Sequence, residues 1–521
     1  MQAPTIKRRD DMLRLPDLIA KGAGALRMWY LRSKRTVGEI VTLALKRNRS
    51  REAIVAGKQR ITYGELAQDV YRAVGLLASH GITRGNRVAS ILPDSAESII
   101  LRLACYVAGV EIVLFDKDMP HDTLRQLIEL TQPMVLFRNG TPPNTGIKEV
   151  VFARDKLPEY AVTVPKLAPR PETPASISFT SGSTGLPKAV RLTQGNWAAS
   201  CHAVVRAAEP SMGRRQQAFL AVIPMAVAGS TTIVPALLGG MKIVIAGSAD
   251  PGTVAGLVGR EHITHLFLTP CWLSRLTRYV RHTGAATSSL EKIAVGTDTV
   301  HAATMKRAIE TFGPIVSCGY GMAEVLPPLF MLSHREYMAG GVLQEKLLHS
   351  VGRSYPHAGI ALVNDSGVPV APRERGHVRF ASPTKAAGYL GNDEENRKRF
   401  VGRYFYSEDI ACMDEEGYLY LLGRDSHKLA CVNGKDVFAR SVEDIFLENG
   451  EAGEACAVRV GDAVVIAYTS SRDETALVAS AEEKAARLTG MAVHSRKVDA
   501  LPTTAAGKVD RKGMPTLFEE A

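Results

Sequence analysis

Cysteine is scarce in this chain: 7 among 521 residues, an odd number, scattered and never spaced as CxxC. That distribution offers neither a disulfide framework nor a zinc site, and it favours a reducing, cytoplasmic location. Long apolar runs are missing too. None reaches the roughly 18–20 residues that a membrane-spanning helix needs. The first residues lack an apolar stretch closed by small residues, so a secretory signal is not expected. Beyond the opening segment no basic, aromatic-bearing face can be traced along the chain, and nucleic acid is not an expected partner. Short-period repeats and low-complexity tracts are absent. What is present is ordinary globular material, 45% hydrophobic and 22% charged, enough for two to four domains or subdomains.

The charge balance is +11. Part of that excess opens the chain, in Lys7, Arg8, Arg9, Arg14, Lys21, Arg27, Arg32, Lys34 and Arg35, with Leu18, Ile19, Leu26, Met28, Trp29, Tyr30 and Leu31 interspersed. Two readings fit. One is a basic amphipathic segment that touches an anionic membrane surface or a partner. The other is a solvated extension that docks on its own domain, and Pro16, Gly22 and Gly24, which interrupt any long helix, favour it.

From about residue 52 the pattern alternates strand and helix. Ala53–Val55 and Arg60–Thr62 read as strands. Thr62 and Glu65 form a capping box for a helix whose apolar face is Leu66, Val70, Val74 and Leu77, with Gly81 as its stop. Arg87–Leu92, Ser95–Ala108 and Val110–Phe115 continue as strand, helix, strand. The rhythm recurs at Gln217–Val222, Met241–Ala246, His265–Leu268 and Ile315–Ser317. Such βαβ succession predicts a mainly parallel sheet covered on both faces. A boundary is expected at Gly423–Ser426. A compact α+β unit follows, with helices at Ser441–Leu447 and Thr475–Leu488 and strands at Ala455–Val460, Ala463–Thr469 and Val493–Val498. The expected organisation is a basic extension over 1–35, a large N-terminal α/β domain of parallel-sheet subdomains over 36–423, and a small mobile α+β domain over 424–521.

The strongest chemical signal is Thr180-Ser181-Gly182-Ser183-Thr184-Gly185-Leu186-Pro187-Lys188, entered from the apolar strand Ile177–Phe179. Its glycines let backbone approach an anion closely. Its hydroxyls and N–H groups can bind phosphate oxygens, and Lys188 adds a positive charge. It is not a Walker A loop, which needs four residues between its glycines and Ser or Thr after the lysine.

The loop resembles the phosphate-binding signature of the adenylate-forming superfamily: acyl- and aryl-CoA synthetases, peptide-synthetase adenylation domains and firefly luciferase. The resemblance runs over about residues 35 to 515. Tyr320-Gly321-Met322-Ala323-Glu324 resembles the aromatic-Gly-x-Thr-Glu motif, with Ala323 in place of the hydroxyl residue. It implies that Tyr320 stacks on adenine and that Glu324, with Thr184, holds Mg²⁺ shared with phosphates. Gly296-Thr297-Asp298 takes the place of the adenine-flanking segment. Tyr406-Ser407-Glu408-Asp409 resembles Tyr-x-Thr-Gly-Asp and implies that Asp409 accepts from the ribose hydroxyls, with Glu408 replacing glycine. Gly417–Arg424 matches the strand before the family's hinge, and Arg424 is implied as a ribose or phosphate contact. Ser426 stands at the hinge position, where Asp or Lys is usual, and Leu429-Ala430-Cys431 lacks a lysine common there. Leu501-Pro502-Thr503-Thr504-Ala505-Ala506-Gly507-Lys508-Val509-Asp510-Arg511 resembles the closing motif and makes Lys508 the catalytic lysine. A cation there would bridge two anions as a carboxylate approaches the α-phosphate.

The resemblance implies ATP, Mg²⁺ and coenzyme A as cofactors and co-substrates, and a small carboxylic acid as substrate. Ile223–Ser230, where peptide-synthetase relatives keep an aspartate, has no acid and is built of small apolar residues. That favours a fatty or other apolar acid over an amino acid. The expected activity is acyl-AMP formation followed by a thioester with coenzyme A. The alternatives are delivery to a carrier protein or an amine and, from another class, a scaffold without catalysis. Glu261, His262 and His265 look like a small ligand set, but a lone His-x-x-His carries no metal reading. Cys271 and Cys318 lie in core-like runs and are not read as nucleophiles.

Overall fold

The computed structural model describes residues 35–519 except 47–48, 141–142, 166–167, 181–185, 209–215, 248–249, 449–451, 471–474 and 505–506. The basic opening segment through Lys34, and Ser181, Gly182, Ser183, Thr184 and Gly185 of the hydroxyl-rich loop, lie outside the described residues.

The local signals build the expected elements. Thr62 accepts from the Glu65 N–H at 3.2 Å, and the Glu65 carboxylate accepts from the Thr62 N–H at 2.7 Å. This capping box starts the helix Tyr63–Ser79, which buries Leu66, Val70, Val74 and Leu77. Ser95 caps Ala96–Ala108. Thr269, followed by a proline, caps Pro270–Thr283.

Two large sheets result. In the nine-stranded one, six parallel strands run in the spatial order Val316–Tyr320, Lys292–Val295, His265–Leu268, Ala218–Ala221, Lys242–Ile245, Glu52–Ala56, with antiparallel strands at both edges. The seven-stranded one has Arg87–Ser90 and Glu111–Leu114 at its parallel centre, and Pro174–Thr180 pairs antiparallel with Lys188–Thr193 near its edge. Helices cover the sheets, and the central strands are apolar nearly throughout, with Ile112, Val113 and Ile243 at 0% exposure.

A third sheet departs from the parallel pattern. Gly359–Val363, Gly376–Ala381, Phe400–Val401, Tyr404–Met413 and Leu419–Arg424 pair antiparallel. The turn before Leu419 shows why. The Asp414 carboxylate accepts from the Glu416 and Tyr418 N–H groups, and Gly417 takes φ +82°. A connection this tight cannot make the long crossover that parallel pairing requires.

Beyond Arg424, the short turn Asp425–His427 leads to a hairpin, Lys428–Val432 with Lys435–Phe438, turned by Asn433 and Gly434 at φ +50° and +74°. The helix Ala439–Glu448, strands Ala452–Val460, Ala463–Ser470 and Ala492–Lys497, and the helix Thr475–Thr489 follow. They share a core around Val442, Ile466 and Ala485. This part rests on the helix Pro270–Thr283. Ser274 Oγ donates to the Gly453 carbonyl at 2.6 Å, and Arg275 Nη2 donates to the Leu501 carbonyl at 3.3 Å. His301 meets Asp444 at 2.7 Å and Glu443 at 3.4 Å. Among the described residues no helix is long and apolar enough to cross a membrane.

Candidate active site

One cavity of about 520 Å³ opens at the carboxyl ends of the nine-stranded sheet's parallel strands. Thr180, Lys188, Glu324, Asp409, Arg424 and Lys508 all line it. They come from five separate stretches of chain, and Lys508 is the one among them that the C-terminal part brings to the cavity.

Asp409 and Arg424 are register partners on antiparallel strands, and Arg424 Nε donates to Asp409 Oδ1 at 2.7 Å. The Tyr320 hydroxyl donates to Asp409 Oδ2. Tyr320 itself is 9% exposed, packs 6.0 Å from Phe380 and 6.1 Å from Phe330, and does not line the cavity. Burial, then the Asp409 carboxylate, raise its hydroxyl well above the ordinary range, so it stays a donor. A carboxylate has about four lone-pair sites, so Asp409 retains acceptor capacity toward the cavity after serving Tyr320 and Arg424.

Lys188 stands opposite Thr180 in the antiparallel pair, and both line the cavity. Its amine pairs with Glu395 and lies 5.3 Å from the Tyr389 ring centroid. Arg399, one turn after Glu395 on the helix Asp393–Arg399, donates to Glu408 at 2.7 Å. Lys188, Glu395, Arg399 and Glu408 thus alternate in sign across the cavity rim. The carboxylate that replaces a glycine in the Tyr406–Asp409 stretch is held by a local cation. Glu324, 9% exposed, accepts from the Tyr389 hydroxyl at 2.8 Å. Tyr389, Glu395 and Arg399 were not singled out in the sequence. Their partners lie 65, 207 and 9 residues away in the chain, beyond any local motif.

Two backbone features shape the wall. A Cβ on Gly296 would stand 3.0 Å from the Gly319 carbonyl oxygen and 3.3 Å from the Phe267 ring, so a larger residue would crowd the wall there. Thr297 has φ +75°, a conformation costly for a β-branched residue, and its buried hydroxyl has no hydrogen-bond partner among the described residues. Lys508 arrives on a turn closed by the Gly507 N–H to the Thr504 carbonyl at 2.8 Å, with Gly507 at φ +71°. Burial pulls its ammonium below the ordinary lysine value, while Asp298, Glu324 and Asp409 oppose that pull.

Lys188, Arg399, Arg424 and Lys508 put four cations at this end of the cavity, which suits a polyanion such as a nucleoside triphosphate. A divalent ion fits on different grounds. Among the described residues no group of three His, Cys, Asp or Glu could hold a metal. Glu324 supplies one hard oxygen on the wall, and Mg²⁺ commonly binds through one or two carboxylates with phosphate and water.

The far side of the cavity is mostly apolar. Val227 and Ala228 of the acid-free stretch line it, with Trp197, Phe219, Phe267 and Ala294. Glu261 belongs elsewhere. Arg60 at 2.9 Å and Lys242 at 2.7 Å hold its carboxyl down to about 2. Cys271 and Cys318 are buried, and burial pushes the Cys318 thiol up to about 12. His265 opens the expected strand His265–Leu268 and faces the cavity.

The model of the AMP-binding enzyme family matches residues 42–390. The medium/long-chain-fatty-acid–CoA ligase FadD8 of Mycobacterium tuberculosis is 27% identical over 578 residues, covering 99% of this chain and 97% of that one. A feruloyl-CoA synthase of an Amycolatopsis species is 28% identical over 484 residues, covering 88% and 94%. The O-succinylbenzoate coenzyme A synthetase (MenE) of Bacillus subtilis, solved with AMP, superimposes with a TM-score of 0.77 at 21% identity, over 91% of this chain and 97% of that one. The fold is therefore that of the adenylate-forming ligases.

Proposed function

The chain belongs to the AMP-binding enzyme family, and from that premise we propose that it joins an apolar-bodied carboxylic acid to AMP and passes the acyl group to the thiol of coenzyme A. The observation that carries this reading is Lys508, brought from the C-terminal part into the same cavity as Glu324, Asp409 and Arg424. In the first step a carboxylate oxygen attacks the α-phosphorus of ATP, and the bond to pyrophosphate breaks. Two anions must approach each other, and a desolvated ammonium placed between them offsets that repulsion. Asp409, fixed by Tyr320 and Arg424, holds the ribose. Lys188 and the hydroxyl loop, Thr180 to Gly185, hold phosphate. When bound, Mg²⁺ neutralises phosphate charge, with Glu324 and Thr184 as its protein ligands.

In the second step the thiol sulfur attacks the acyl carbonyl, its proton leaves to solvent, and AMP departs with the former carboxylate oxygen. The thiol needs the space that the Lys508 turn fills. We place the pivot that clears it within Arg424–Leu429, where a short exposed turn separates the large sheets from the C-terminal hairpin. Coenzyme A is supported as acceptor by the names of the curated relatives. Glu408, being held by Arg399, gives no ground for a different acceptor.

The test is product identification. Protein is incubated with ATP, Mg²⁺, acids from hexanoate to palmitate, and either coenzyme A or a holo-carrier protein. Acyl-CoA with AMP and pyrophosphate is the expected product set. Acyl transfer to the carrier alone would support the second acceptor. Absence of both acyl-AMP and thioester across the panel would overturn the reading.

A further inference from the structure

The acid side of the cavity runs along one face of the nine-stranded sheet. Alternate residues of a strand point the same way, so Lys292, Ala294 and Gly296 share the cavity face while Ile293 is 0% exposed on the other. Side-chain size falls along that row toward the nucleotide end. Gly296 borders Thr297 and the nucleotide-facing wall. Lys292 lies four residues back, about 13 Å away at the usual strand rise. His265 is the register partner of Lys292 on the neighbouring parallel strand, so the two stand side by side at the far end.

Lys292 is unusually placed for a lysine. Its amine donates to the Ala207 carbonyl at 2.9 Å, in the last turn of the helix Gln194–Ala208. An ammonium has three donors, and among the described residues no carboxylate pairs with this one. Burial alone depresses its proton affinity. His265 is 7% exposed and shares a hydrogen bond of 2.8 Å with Thr264 Oγ1 through Nδ1. Burial first, then the Lys292 charge, hold its imidazole down to about 4, so it is neutral at pH 7. An apolar cavity therefore ends on one cation and a neutral imidazole. A plain hydrocarbon tail would leave that ammonium buried with a single carbonyl as its partner among the described residues, a costly arrangement.

We infer that the acid accepted here carries a second, anionic group at its far end. The substrate class is a carboxylic acid with an apolar middle and a distal carboxylate, which Lys292 pairs with and His265 adjoins. This deepens the ligase reading and rests on it. The carboxylate that reacts lies at the Lys508 end, and the distal one remains unreacted.

The experiment measures acid-dependent exchange of pyrophosphate into ATP with matched pairs, a monocarboxylic acid and the α,ω-dicarboxylic acid of equal carbon number, from six-carbon to sixteen-carbon chains. Wild-type protein should prefer the diacid at its best length by about tenfold or more in kcat/KM, the scale of one buried charge-assisted hydrogen bond. Lys292→Met should reverse that preference, Lys292→Arg should keep its direction, and the KM for ATP should stay unchanged in both. A lysine that only capped the helix Gln194–Ala208 would affect both acid series equally when replaced. A wild-type protein that uses monoacids as well as or better than diacids overturns the inference and leaves the ligase reading standing, and it does so even if the Lys292→Met protein fails to fold. Equal loss with both series in Lys292→Met also overturns it. Exchange with no acid of either series overturns both.

Discussion

The two ends of the cavity are built on opposite terms. At the nucleotide end most charged side chains already have a protein partner: Asp409 with Arg424 and Tyr320, Glu324 with Tyr389, Lys188 with Glu395. Such a site is held in shape before a ligand arrives, and its charges stay solvated by one another. At the acid end the wall is mostly apolar, and among the described residues Lys292 donates to one carbonyl and stands beside His265. The contrast assigns rate to one end and choice of acid to the other. Changes at the nucleotide end should act on all acids alike, and changes at the acid end should act by substrate.

The largest expected effect lies where the two ends meet. Lys508→Ala should lower acyl-AMP formation by two or more orders of magnitude, roughly 3–4 kcal/mol of transition-state stabilisation, for every acid in proportion. Transfer from pre-made acyl-AMP should fall far less. Half-reaction rates measured separately check this, and equal losses would contradict the role. Asp409→Ala comes next. It should raise the KM for ATP by about tenfold or more, because one charge-assisted contact is worth roughly 1.5–3 kcal/mol, and leave the KM for the acid nearly unchanged. An unchanged ATP dependence would break the division between the ends.

Smaller effects concern the seating of the C-terminal part. Ser426→Pro fixes φ in the exposed turn and should slow thioester formation several-fold more than acyl-AMP formation. Wild-type rates in both steps would move the pivot elsewhere. The smallest effect is a pH dependence. Burial opposes charge on His301, but Asp444 and Glu443 outweigh it and raise its imidazole to about 8. The folded value lies above the unfolded one, so the contact stabilises fully below about pH 6.5 and is lost as pH rises through about 8, on the order of 1–2 kcal/mol in all. Thermal unfolding of wild type against His301→Gln should show a stability gap that closes between pH 6 and pH 9. A gap that widens over that interval would show the sign to be wrong.

The contrast between the ends is also a contrast in what could be read from the chain. At the nucleotide end the short-spaced motifs placed Thr180, Lys188, Glu324 and Lys508 on one cavity wall, whereas Tyr320, expected against adenine, lies behind that wall with its hydroxyl on Asp409. The parallel strands and their helices were legible from capping residues such as Thr62 and Ser95 and from period. The antiparallel sheet was not anticipated beyond the strand ending at Arg424, although Gly376–Ala381 alternates buried and part-buried residues as an antiparallel strand does. The Lys428–Phe438 hairpin was not anticipated either, although Asn433-Gly434 is the usual signal for a two-residue turn. Lys292 could not be read at all. A lysine opening a short apolar strand looks like a solvated strand end, and only the packing of Gln194–Ala208 over the sheet buries it. The Tyr389–Glu324 contact, between residues 65 apart in the chain, likewise follows from tertiary structure alone.

The central claim is that this cavity makes an acyl-AMP from a free carboxylate. The most direct measurement follows the oxygen. A carboxylic acid labelled with heavy oxygen in both carboxylate positions is turned over with ATP, Mg²⁺ and coenzyme A, and the products are weighed by mass spectrometry. Attack of the carboxylate on the α-phosphorus, followed by displacement of AMP by the thiol, predicts one labelled oxygen in AMP and one in the thioester. Label in inorganic phosphate or pyrophosphate, or AMP without label, would contradict the account.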